Sequence, residues 1–207
     1  PPEEAPVQAE FRTIPASLGE ALSPSVVRMV RLARVSQLAL EELLGRAVPE
    51  RAIWEQQRPT AADQPTEIAR AIRAALGVTT DRQRSWRSYH EALAAWRDSV
   101  ESVGVYVFKG AFKDDSVSGL CLFHPFYPVI YLNNSTTMSR QIFTLIHELV
   151  HVLLRESDVE ATDSGPAALS RADESTEWFC NAVPAEVLAP GEALDRMLTA
   201  GALTDER

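Results

Sequence analysis

The spacing of hydrophobic and polar positions changes near residue 104, and this change divides the chain into two regions. Before it, apolar residues recur every three or four positions, which is typical of amphipathic helices. After it come three short runs rich in β-branched and aromatic residues, which predict strands, and then further helical stretches. We therefore predict an α+β fold with a mainly helical N-terminal half and a small antiparallel sheet of about three strands.

The first predicted helix begins at Pro24 and ends before Gly45, because proline is favoured at the first helical position and glycine ends helices. Three arginines recur along it at intervals of three residues, namely Arg28, Arg31 and Arg34. We interpret them as a solvated face of the helix, in preference to a stripe that binds phosphate or a partner. Three further helices are expected before residue 104. The apolar side of the first helix should comprise Val27, Val30, Leu32, Val35, Leu38, Leu40 and Leu43.

The composition indicates four successive segments. Residues 1–10 are rich in proline and glutamate, which is typical of a disordered linker. Residues 11–100 form the helical region, residues 101–190 the catalytic region described below, and residues 191–207 a C-terminal tail. The chain does not begin with methionine and its end lacks a clear terminal element, so we expect a fragment of a longer protein.

The predicted strands lead into the most apolar stretch of the chain. They cover residues 103–108, 117–123 and 129–132. A helix follows, and Ser139 is its expected N-cap. This helix is apolar nearly all round up to residue 154, so it should be buried against the sheet.

This buried helix contains the pattern His-Glu-x-x-His at His147, Glu148 and His151. Residues four apart lie on one face of a helix, with about 5–6 Å between their Cβ atoms, so the two histidines can bind one metal ion. Glu148 can reach a water molecule at that ion and act as a general base. Burial of unpaired charge is unfavourable, and a metal ion supplies the partners that these groups need. The motif therefore predicts a zinc site.

A catalytic zinc site needs a third protein ligand and keeps one position for water. No histidine follows His151, and Cys121 and Cys180 lie in a predicted strand and an apolar helix, so a downstream carboxylate is favoured. One group of acidic residues lies in a polar loop predicted over 156–166, and another opens a helix predicted over 172–188. The candidates are Glu156, Asp158, Glu160, Asp163, Asp173, Glu174 and Glu177.

A family resemblance narrows this choice. The sequence Phe-Thr-Leu-Ile-His-Glu-Leu-Val-His at residues 143–151, followed by Glu-Trp-Phe-Cys-Asn at 177–181, is similar to the ImmA/IrrE family of bacterial and phage metallopeptidases. The resemblance implies a zincin-like metallopeptidase domain. It also implies that one Zn²⁺ ion is bound by His147, His151 and Glu177.

The same resemblance implies a catalytic role and a substrate class. Glu148 corresponds to the family's catalytic base. The substrate would be a regulatory protein, such as a transcriptional repressor, in stress response or in phage and mobile-element control. One departure from the family is Pro184, which should kink its helix because proline removes a helical hydrogen bond. A kink that tilted Glu177 away from the histidines would weaken the zinc site.

Four further polar residues are candidates for supporting roles. Asn181 lies one helical turn after Glu177 and is a candidate for orienting a metal ligand, with a helix-packing amide as the alternative. His124, Tyr127 and Tyr131 lie near the predicted strands and are candidates for the donor that stabilises the developing oxyanion. A purely structural role is the alternative for each of these three.

Charge and composition limit the other function classes. The net charge of −9 disfavours nucleic-acid binding by this fragment, because counterion release needs a basic face. No run approaches the ~18 apolar residues of a membrane span, and no signal peptide is found, so we expect a cytoplasmic protein with two reduced cysteines. The alternative to a peptidase is a non-catalytic regulatory module of the same fold that binds a partner, but an intact Glu148 favours the enzyme. The oligomeric state stays open.

Overall fold

The computed structural model describes residues 24–113, 117–156, 158–161 and 171–199. The predicted linker and the ligand candidate Asp163 lie outside these residues. The described elements are, in chain order, α1 (Pro24–Leu44), α2 (Ile53–Gln56), α3 (Pro65–Leu76), α4 (Thr80–Ser85), α5 (Tyr89–Glu101), β1 (Tyr106–Gly110), β2 (Val117–Leu122), β3 (Val129–Asn133), α6 (Met138–Leu154), β4 (Asp158–Ala161), α7 (Arg171–Leu188) and α8 (Gly191–Thr199).

Local signals in the sequence located several helix ends. Gly45 and Gly77 follow α1 and α3 with φ angles of 76° and 63°, in the left-handed region that glycine adopts readily. The cap of α6 differs from the prediction: Thr137 is the N-cap in place of Ser139, and its hydroxyl accepts a hydrogen bond from the backbone N–H of Arg140.

The sheet has four strands in the described part of the chain and is mixed, which corrects the prediction of an antiparallel sheet of about three strands. Its order is β1-β3-β2-β4. β1 pairs parallel with β3, whereas β2 pairs antiparallel with both β3 and β4. The alternation of hydrophobic residues carries no information on strand order, so the parallel pair could not be predicted. The fourth strand was missed because β4 falls in the segment predicted as a polar loop. Its sequence Asp-Val-Glu-Ala is too short and polar to give a strand signal.

The sheet is enclosed between helices on both faces. Successive strand residues point to opposite faces, so β3 places Val129 and Tyr131 in a cluster with α1. Ile130 and Leu132 belong instead to the core shared with α5, α6 and α7. The helix that carries the His-Glu-x-x-His motif and α1 therefore lie on opposite sides of the sheet.

α6 is the central helix of the larger core. Most of its residues between Gln141 and Leu153 are buried, as its apolar composition predicted. It packs on β2 and β3 and lies beside α5 and α7. None of the described helices is long and apolar enough to cross a membrane.

α1 has two apolar faces, which corrects the single apolar side predicted for it. The face against the sheet includes Val26, Met29, Val30 and Ala33. A helical repeat of apolar residues does not reveal which of two such faces meets the core. Four residues predicted for the inner side are exposed instead, namely Leu32, Val35, Leu38 and Leu43.

Candidate metal centre

His147 and His151 lie one turn apart on the same side of α6, and both are buried. Their Nε2 atoms are 3.2 Å apart. Two nitrogens that bind one zinc ion at about 2.0–2.1 Å in a tetrahedral arrangement lie about 3.3–3.4 Å apart. The two rings are therefore spaced to share a single ion.

α7 brings a carboxylate to these histidines. Glu177 Oε1 lies 3.5 Å from His151 Nε2, and Glu177 Oε2 lies 4.0 Å from His147 Nε2. One ligand atom from each of the three residues lies within 4.8 Å of the other two. Two imidazole nitrogens and a carboxylate oxygen form a ligand set that zinc accepts. The residues present thus fit the expected ion in chemistry and in spacing.

Pro184 does not separate the ligands. α7 continues through Pro184 to Leu188. Glu177 nevertheless lies beside both histidines, so the tilt away from them that the proline could have caused is not seen.

Glu148 is fully buried on α6, between the two histidines in sequence. It lies next to Gly119 of β2: a Cβ atom built on this glycine would be 3.5 Å from Glu148 Oε1 and only 2.4 Å from Thr144 Cγ2. Gly119 is therefore the point where β2 approaches α6 too closely for a side chain. An isolated glycine inside a strand pattern is the sequence signal for such an approach.

We expect Gly119→Ala to lower the free energy of unfolding by about 1–3 kcal/mol, because the added methyl group overpacks the contact with Thr144. It should also shift Glu148 and reduce any activity. Urea unfolding measures the loss, with Gly191→Ala as the matched control, since a Cβ there meets nothing within 4 Å. Equal stability of the two variants would show that β2 can move away from α6 freely.

Glu156, one of the candidate third ligands, lies at the far side of the His151 ring. It follows Arg155, which ends α6 in the left-handed conformation with φ of 63°. This turn brings Glu156 Oε2 to 3.6 Å from His151 Nδ1, the ring nitrogen that does not face Glu177. A carboxylate beside the second ring nitrogen of a metal-binding histidine orients the ring and raises its basicity. Glu156 is thus placed to support a ligand.

Glu156→Ala is expected to lower the affinity for zinc by about 10- to 100-fold, because the ring of His151 loses its orienting carboxylate. Competition with a chromophoric chelator measures the affinity. Glu192→Ala is the control, since that carboxylate is exposed and pairs with Arg70 instead. If both variants bind zinc as the parent does, the contact between Glu156 and His151 has no part in metal binding.

Cys180 also lies beside His151. Burial raises the pKa of the Cys180 thiol, against the opposing effect of its hydrogen bond with His151. Cys121 and Cys180 are both buried, and neither forms a disulfide.

The supporting candidates have contacts of other kinds. The side-chain amide of Asn181 donates to the backbone carbonyl of Glu177, one turn earlier in α7, at 2.8 Å. This contact is with the backbone of Glu177, a candidate metal ligand.

His124, Tyr127 and Tyr131 make polar contacts with α1 or with the residue that follows it. His124 Nε2 lies 3.6 Å from a carboxylate oxygen of Glu41, and the Tyr131 hydroxyl lies 2.9 Å from Ser36 Oγ. The Tyr127 hydroxyl donates to the carbonyl of Gly45. These contacts do not support a role as oxyanion donors, because α1 covers the sheet face opposite α6.

A buried His-Glu-x-x-His helix, a carboxylate from the next helix and a small mixed sheet are together compatible with a zincin-like peptidase domain. Residues 100–207, slightly more than half of the chain, match the family Peptidase_M78, the IrrE N-terminal-like domain. The chain belongs to this family, which confirms the resemblance inferred from its motifs.

One relative matches a shorter part of the chain. The radiation response metalloprotease IrrE of Deinococcus deserti is 35% identical over 78 residues. The match covers 37% of this chain and 28% of the relative, so it spans less than a third of that protein's length.

Proposed function

We propose that this chain is a zinc-dependent endopeptidase that cleaves a specific regulatory protein. The observation that carries the proposal is the convergence of His147, His151 and Glu177 on one point, with Glu148 adjacent on the same helix. Membership of a metallopeptidase family supports it. The general base also supports it, since a purely structural metal site has no use for one.

The side chains divide the chemistry among them. When bound, a zinc ion supplies Lewis acidity, lowering the pKa of a coordinated water towards ~7 and polarising the scissile carbonyl. His147, His151 and Glu177 hold the ion, and Glu156 orients the ring of His151. Glu148 accepts the proton of the attacking water and returns it to the amine, which then leaves in its neutral form.

The edge strand β4 offers a place for an extended substrate. Among the strands described, β4 is an edge that pairs with β2, and β2 carries Gly119 beside Glu148. Edge strands have unpaired backbone groups that bind an extended peptide by main-chain hydrogen bonds. The other edge, β1, is separated from β2 by β3. We therefore assign the substrate to β4.

The proposed substrate is a transcriptional repressor or a similar regulator in stress response or mobile-element control. The resemblance of the two metal-site helices to the ImmA/IrrE family supports this class. The name of the Deinococcus relative, a radiation response metalloprotease, is in keeping with a role in stress response.

The test is incubation of the zinc-loaded chain with a panel of purified DNA-binding repressors from the same genome. We expect one repressor to yield discrete products by mass spectrometry. Cleavage should stop when a chelator removes the zinc and resume when zinc is added back. A repressor that binds the zinc-loaded chain without being cut would favour the non-catalytic regulatory module instead.

A further inference from the structure

α1 has a continuous apolar strip on its outward side. Val35 and Leu38 are 59% and 52% exposed, and the exposed Leu32 lies one turn before Val35. The exposed Ala39 and Leu43 continue the strip from Val35 at steps of four residues. The opposite side of α1 is already buried against the sheet, so the core does not need these residues. Contiguous exposed apolar surface of this kind marks interaction sites, whereas singly scattered apolar residues do not.

Opposite charges stand at the two ends of this strip. Its central line runs through the exposed residues Arg31, Val35, Leu38 and Glu42. Their alternating spacing of four, three and four residues is that of the a and d positions in a helix–helix seam. Arg28, also exposed, adds a second cation at the N-terminal end.

We propose that this face binds the same face of a second copy of the chain, with the two α1 helices antiparallel. A two-fold axis then passes between Val35 and Leu38, so that each Val35 meets Leu38 of the partner subunit. Each Arg31 likewise meets Glu42 of the partner subunit.

The order of charges along α1 explains why the face fits a second copy of itself and why the two helices run antiparallel. A parallel pair would bring arginine against arginine at one end and glutamate against glutamate at the other. The antiparallel pair has two apolar layers in its centre and an ion pair at each end. The strip is thus complementary to itself in one orientation only.

The proposed interface is small and leaves the metal centre accessible. A helix of this length extends about 30 Å, and a single helix pair is smaller than a standard protein interface. We therefore expect a reversible dimer with a Kd on the order of micromolar.

α1 and α6 lie on opposite faces of the sheet, so both metal centres face away from the contact. The dimer does not depend on peptidase activity.

Sedimentation equilibrium of the whole chain between about 1 and 100 µM tests the contact. We expect a monomer–dimer equilibrium that Leu38→Asp weakens by at least about ten-fold, because each dimer then buries two unpaired carboxylates. Leu38 is exposed in the monomer, so the circular dichroism spectrum should not change. Leu194→Asp on α8, where the leucine is 42% exposed, is the matched control and should leave the Kd unchanged. A chain that stays monomeric throughout overturns the proposal.

Charge reversal tests the direction. Arg31→Glu and Glu42→Arg should each weaken the dimer several-fold, and the double variant should restore it with the ion pairs reversed. A double variant at least as weak as either single variant would contradict the antiparallel arrangement.

Disulfide trapping tests the direction of the pair independently. The natural cysteines Cys121 and Cys180 are buried, so they do not compete with an introduced cysteine. Arg31→Cys and Glu42→Cys chains should cross-link with each other when mixed, and neither with itself. Self-linkage of Arg31→Cys would indicate a parallel pair and overturn the proposal.

Discussion

Replacing Glu148 with glutamine should abolish peptide cleavage while zinc stays bound. The amide has nearly the same size as the carboxylate, so the buried position next to Gly119 remains filled. It cannot accept the proton of the attacking water, however. Loss of a general base lowers the rate by about 10²- to 10⁴-fold. Cleavage rate and zinc content, determined on the same sample, measure the two effects separately.

The control for this substitution is a carboxylate of α7, the helix beside α6. Glu186→Gln makes the same chemical change away from the histidines and should leave both the rate and the zinc content unaltered. If Glu148→Gln cleaves within a few-fold of the parent rate, Glu148 is not the base, and the proton must pass through another group.

Replacing a proposed metal ligand should have the opposite effect, namely loss of the bound ion. His151→Ala is expected to reduce bound zinc to less than about one tenth of stoichiometric, because the two remaining ligands cannot hold a structural or catalytic zinc site. Glu177→Ala should behave similarly. Zinc that binds the folded state stabilises it by mass action, so the parent should melt at a higher temperature with zinc and these variants should not.

His90→Ala is the control for ligand removal, since His90 is an exposed histidine of α5. It should retain full zinc and the full shift in melting temperature.

Glu177→Ala also distinguishes the two carboxylates near His151. If it keeps zinc at a chelator concentration that strips Glu156→Ala, then Glu156 is the third ligand and Glu177 is not.

The histidine pair could be predicted from the sequence because it depends on one element. Residues four apart meet on any helix, so His147 and His151 needed only a helix to come together. The helix ends at Gly45 and Gly77 are local in the same way, since each depends on the backbone freedom of one residue. Such features follow from the chain's covalent geometry and do not require knowledge of the fold.

The proposed third ligand could not be chosen in this way. Several acidic residues follow His151, and their spacing favours none of them. Glu177 reaches the histidines because α7 lies beside α6, while the turn after α6 directs Glu156 to the other ring nitrogen of His151. Before the fold was known, its place one turn before Asn181 allowed Glu177 to face inward, and the resemblance to a family then chose it among the candidates.

The sequence by itself determined the buried helix, the pairing of its two histidines and the α+β class. The tertiary structure decided the strand order, the faces of the sheet and the side of α1 that meets it. That is why Tyr131 lies against α1 and why Val35 and Leu38 remain exposed. The physical reason is that local geometry sets contacts within one element, whereas contacts between distant elements depend on which apolar faces bury each other.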